Sequence, residues 1–148
     1  VSHPTVVVDD HLLLRILLDD EPADLRPGGA RVFTTGLWYH RLCRALGSPR
    51  VTGPLSGRLG PATPSMAEAA VGAVTTLPET VGLVPLRDLA WPMARLVNTG
   101  MRLNLLSLEA AAAAEHLGAE LCLAAADENP PLLAAASDRG IPARLVAG

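Results

Sequence analysis

Thr5-Val6-Val7-Val8-Asp9-Asp10-His11-Leu12-Leu13-Leu14 decides how this chain is read. A short β-branched apolar run stops at two carboxylates and turns into a helix-like pattern. A continuous run of Val is what a strand buried on both faces of a parallel sheet requires. In open α/β sheets, ligand sites lie outside the carboxyl ends of the strands. Acids placed directly after such a run are therefore delivered to a crevice. The last third repeats the device: Leu121-Cys122-Leu123-Ala124-Ala125-Ala126 ends at Asp127.

Working outward, five strands are expected, at residues 5–9, Arg31–Thr35, Val81–Pro85, Glu120–Ala124 and Ala143–Val146. Helical stretches alternate with them: Leu37–Leu46, Met66–Val74, Arg87–Val97, Leu108–Leu117 and Leu132–Arg139. That alternation predicts a single domain over residues 1–148. It is a three-layer α/β/α sandwich around a mainly parallel sheet of about five strands. Gly47, Gly118 and Gly140 each follow a helix and are read as left-handed stops. Gly47–Pro64 is rich in Gly, Pro, Ser and Thr and reads as a long loop. Trp91 and Pro92 fall near the expected start of their helix, where a proline's missing N–H loses nothing. Trp38 and Trp91 are both expected as core or packing residues rather than base-stacking platforms.

The chain has 148 residues, is 49% hydrophobic and carries a net charge of −3, which gives no field to attract a polyanion. Every basic residue is Arg; the absence of Lys excludes a P-loop and any lysine-based catalysis. Cys43 and Cys122 sit in apolar contexts and read as buried, reduced thiols. No run reaches the roughly 20 apolar residues that span a bilayer, and no basic leader precedes an apolar stretch, so the cytoplasm is the expected compartment and no membrane the expectation.

Two families resemble the opening segment. Val6-Val7-Val8-Asp9-Asp10-His11 is similar to the start of a response-regulator receiver domain, where paired acids hold magnesium beside a phosphorylated Asp. The middle segment Arg50–Pro64 carries no acid and the chain no Lys, so that resemblance implies at most a signalling module without phosphotransfer.

The PIN-domain nucleases resemble more of the chain. A first strand ends in Asp9. A second leads through Phe33-Thr34-Thr35-Gly36-Leu37 into the helix Trp38–Leu46. Val81-Gly82-Leu83-Val84-Pro85-Leu86 precedes another helix, and an Ala-rich helix runs from Ser107 to Leu117-Gly118-Ala119. A strand then ends in Asp127 before a last helix and strand, Leu132–Val146. The resemblance implies that the first and fourth strands are central neighbours, with Asp9 and Asp127 facing the crevice between them. It also implies a set of four acids holding Mg²⁺ or Mn²⁺ to activate water.

Asp9 and Asp127 match that set as catalytic and metal-holding residues. Two positions depart: the helical Glu falls on Arg41, and the Asp that opens the Ala-rich helix falls on Ser107. Asp10 and Glu128 neighbour the retained acids and are partial substitutes; Asp10 is otherwise read as a solvent-facing or helix-start residue. Ser107 is read as the N-cap of Leu108–Leu117, since Ser caps about as well as Asp. Glu109 belongs to the first turn and is expected to point away from residue 107. Arg41 has two readings. One is a solvent-facing cation. The other is an internal counter-ion, since two carboxylates about 4 Å apart repel by roughly 4 kcal/mol at an effective dielectric of about 20. His40 is read as a packing or surface residue, and His3, His11 and His116 carry no zinc spacing.

The resemblance thus implies a degenerate PIN-like protein, weak or inactive as a nuclease, with an interaction or regulatory role of toxin–antitoxin type. The alternative is a working Mg²⁺- or Mn²⁺-dependent ribonuclease with a rearranged acid set. RNA or a protein is the partner expected, and a homodimer the expected assembly.

Overall fold

The fold is seen in a computed structural model that describes residues 4–47 and 64–147. Most of the stretch read as a loop, residues 48–63, lies outside the described residues, as does His3. In chain order the elements are β1 (Thr5–Val8), α1 (Asp10–Leu17), a 3-10 turn (Pro27–Gly29), β2 (Arg31–Thr35) and α2 (Gly36–Gly47). Then come α3 (Pro64–Thr75), β3 (Val81–Val84), α4 (Leu86–Asn98), α5 (Leu105–Leu117), β4 (Glu120–Ala124), α6 (Pro130–Arg139) and β5 (Ala143–Val146).

The five strands form one parallel sheet in the order β3-β2-β1-β4-β5. All five expected strands are present, and β1 pairs with β4 at the centre, Val8 opposite Cys122. The order departs from the 2-1-3-4-5 arrangement of receiver-type sheets, so the receiver resemblance ends with the opening strand.

Side chains alternate across the sheet with a period of two, and this builds the two outer layers. Val7, Leu121 and Leu123 face a core closed by Leu89 and Met93 of α4, the alanines of α5 and Leu132 of α6. Val6, Val8 and Cys122 face the opposite core with Leu12, Leu13, Leu42 and Val74 of α1, α2 and α3. Residues Ser107–Ala114 of α5 are all buried. A helix enclosed on every side needs small residues, and the alanine run Ala110–Ala114 supplies them.

Several expectations are corrected. α5 starts at Leu105, capped by Asn104, whose side chain accepts from the Ser107 N–H at 2.8 Å. Ser107 is therefore inside the helix and is not its cap. Pro92 lies in the interior of α4, which begins at Leu86. Trp91 is 74% exposed and belongs to no core, whereas Trp38 is buried as expected. Cys122 is buried but Cys43 only partly so. Gly118 and Gly140 close their helices in the left-handed region, at φ 61° and 70°; Gly47 ends α2 without it. No helix among the described residues is long and apolar enough to cross a membrane.

Candidate functional site

The carboxyl ends of β1 and β4 adjoin where the strand order reverses, and the acids gather there. Asp9 is the N-cap of α1. One carboxylate oxygen accepts from the Leu12 N–H at 2.9 Å, and the other from the Ala124 N–H of β4 at 2.9 Å. Both oxygens are thus committed to the backbone. Burial pushes the Asp9 carboxyl up to about 7, partly offset by these two N–H groups, with Asp10 and Asp127 adding repulsion.

Asp10 is the first residue of α1 and is fully buried. The solvent-facing reading is therefore overturned, because its side chain turns inward to a cation. Arg41 of α2 grips it with two donors: Nε contacts Oδ2, and Nη2 reaches Oδ1 at 2.6 Å. The same Nη2 reaches Asp127 Oδ2 at 3.1 Å. A planar guanidinium matches a carboxylate in this forked geometry. The hydrogen bond to Asp10 raises the Arg41 pKa above its ordinary value, and the charges of Asp10, Asp127 and Asp9 act in the same direction against the cost of burial. Of the two readings of Arg41, the structure shows the internal counter-ion.

The helix that carries Arg41 is fixed at its N-terminus. Thr34 donates to the Val8 carbonyl at 2.9 Å, Thr35 accepts from the Trp38 N–H at 3.3 Å, and Glu109 accepts from the Leu37 N–H at 2.8 Å. Glu109 is buried and serves as an anchor, and a carboxylate is favoured at the positive end of a helix. Ser107 lies in the wall of the cleft and accepts from the Asn129 side chain at 2.9 Å. Asn129 caps α6 from the left-handed region, at φ 51°. Glu128 is exposed and makes no ion pair or hydrogen bond among the described residues. His40 is exposed.

Sequence reasoning missed His11. Its Nε2 lies 3.4 Å from Asp127 Oδ2, and its ring is buried. The signal was its position directly after the two acids of the strand end. One ligand atom each from Asp10, His11 and Asp127 lies within 4.8 Å of the others. A divalent cation entering there competes with Arg41 for Asp10 and Asp127, while each Asp9 oxygen already accepts a backbone N–H. With the guanidinium in place, the donor set does not fit a hard cation that wants several oxygen ligands. The cleft itself is about 310 Å³, and Arg41, Ser107, Asp127 and Asn129 are among its walls.

No protein-family model matches the chain, and no curated protein matches it in sequence.

Proposed function

We propose that this chain is a degenerate PIN-like protein that does not work as a metal-dependent nuclease and acts through an interaction or regulatory role, in a toxin–antitoxin-like setting. The observation that carries this reading is the guanidinium of Arg41 between Asp10 and Asp127. It supplies from within the chain the positive charge that a nuclease of this kind takes from Mg²⁺ or Mn²⁺. The strand order, with two acid-bearing strand ends side by side, supports the resemblance on which the reading rests. The test is cleavage of single-stranded RNA by purified protein with Mg²⁺ or Mn²⁺, beside Asp127→Asn and Asp9→Asn controls. No cleavage above the level of the controls is expected. Robust wild-type cleavage that both substitutions abolish would overturn the proposal.

A second reading is favoured by the proximity of Asp10, His11 and Asp127. It is a Mn²⁺- or Mg²⁺-dependent ribonuclease in which Arg41 moves aside and these side chains take the ion. Manganese binding by the wild-type chain, seen by calorimetry, is the result that would promote it.

A further inference from the structure

The helix α4 contributes nothing to the cleft and presents an unusual outer face. Leu89, Met93 and Leu96 bury its inner side. On the outer side Trp91 is 74% exposed, the most exposed large hydrophobic residue among those described. Single exposed leucines are ordinary on a protein surface, but an indole this open is not. Arg87 stands one turn before it and Arg95 one turn after it, both exposed. Trp and Arg are the residues most enriched at the energetic centre of protein interfaces.

The charges select the occupant. Asp88 lies three residues before Trp91 and Arg95 four after, so they flank a point between Trp91 and Pro92 at equal distances. Two helical turns separate them, which puts both on the same side of the helix. A twofold axis through that point, perpendicular to α4, brings Asp88 of one copy to the height of Arg95 of the other, twice over. It brings Trp91 against its own counterpart in the centre. An interface built on a twofold must be self-complementary in this way. The antiparallel arrangement also opposes the two helix dipoles favourably. Among the described residues Asp88 has only Arg87 at 4.0 Å, a side chain 88% exposed, and Arg95 has no ion-pair partner. A nucleic-acid strand is the poorer occupant: Asp88 lies within the patch and the chain is net negative.

We propose that the outer face of α4 docks a second copy of this chain, antiparallel about Trp91, with Asp88 of each copy paired to Arg95 of the other. The inference is independent of the reading of the cleft.

Sedimentation velocity over a dilution series tests it on the full chain. The wild type is expected to form a reversible dimer. Trp91→Ser is expected to raise the dissociation constant about a hundredfold, as loss of a central aromatic anchor does. Asp88→Arg and Arg95→Asp are each expected to raise it about tenfold, because each sets like charges together at two places. Mixing the two reversed variants re-creates opposite charges at both contacts and is expected to restore the dimer. All three positions are exposed, so circular dichroism should match wild type, and the two charge reversals should lower the melting temperature only slightly, since Asp88 and Arg95 complement the dipole in the first and last turns of α4. A monomeric wild type across the series overturns the proposal, as does a dimer indifferent to Trp91→Ser or a mixture that fails to recover. A monomer that instead binds a labelled RNA strand through Trp91 also overturns it.

Discussion

Glu109 and Leu37 join two layers of the fold: the buried carboxylate accepts the Leu37 N–H at 2.8 Å and so ties α5 to the first turn of α2. Arg41 projects one turn further along α2. Glu109 thus links the alanine-rich helix to the helix that carries Arg41, beside the direct place of Ser107 in the cleft wall.

Glu109→Ala leaves an unpaired N–H at the start of α2 together with a cavity, and should lower stability by about 2–3 kcal/mol. Glu109→Gln keeps an accepting oxygen and should cost less than half as much. Urea denaturation of the two variants measures the difference. Equal losses would mean that packing, not the hydrogen bond, holds α2 there.

Arg41→Ala strands Asp10, which is fully buried, without its counter-ion. Breaking a fully buried pair costs about 3–5 kcal/mol; Arg41 is 40% exposed, and water entering the gap should reduce this to about 2–3 kcal/mol. Arg41→Lys keeps the charge but not the fork, and should fall between. Denaturation at neutral pH checks the ranking wild type, Lys, Ala.

Asp9 makes stability depend on pH. Its folded carboxyl holds a proton up to about 7, whereas an ordinary Asp loses it near 3.8, so the native state binds the extra proton between those limits. The associated stability is fully present below about 3.8 and is lost as pH rises through about 7. Asp9→Asn cannot ionise, although its single oxygen serves only one of the two backbone donors. The stability advantage of wild type over Asp9→Asn should shrink on raising the pH through this window, by an amount on the order of 4 kcal/mol. A constant difference would show that Asp9 stays ionised throughout.

Arg41→Glu together with Ser107→Asp restores the two acids that the PIN resemblance lacks. Residue 107 is buried and faces Asn129, so the added carboxylate keeps a hydrogen-bond donor. Calorimetry should show Mn²⁺ binding by the double variant at least about tenfold tighter than by Arg41→Glu alone, because ligand charge count governs such sites. If neither variant binds manganese, the cleft was not built around a metal.

The sheet was legible because its signals are local. Val6–Val8 and Leu121–Ala124 are apolar without interruption, and Gly118 and Gly140 mark helix ends through a backbone requirement that sequence displays directly. Helix starts were read less well. Asn104 and Asn129 are the caps, but Ser107 and Leu132 carry the visible pattern, and a cap is settled by one hydrogen bond that the sequence does not reveal. In the site, Asp9 and Asp127 were found by position after a strand. The inward turn of Asp10 was not, since a second acid at a helix start is ordinarily solvated and only the distant Arg41 makes its burial tolerable. Trp91 was misplaced because composition assigns a tryptophan to the core, and only the path of α4 turns it outward.

The pairing of β1 with β4 has a consequence for how the chain acquires its structure. β1 can meet β2 early, but its other edge waits for β4, and the Ala124 N–H that completes the hold on Asp9 lies 115 residues along the chain. Closing so long a loop must precede the contacts that reward it, which slows folding. Until β4 arrives, the edge of β1 displays unsatisfied backbone groups beside a row of valines. During synthesis the N-terminal half is thus an open template for other strands, and the molecule is most vulnerable to misassembly just before its last third emerges.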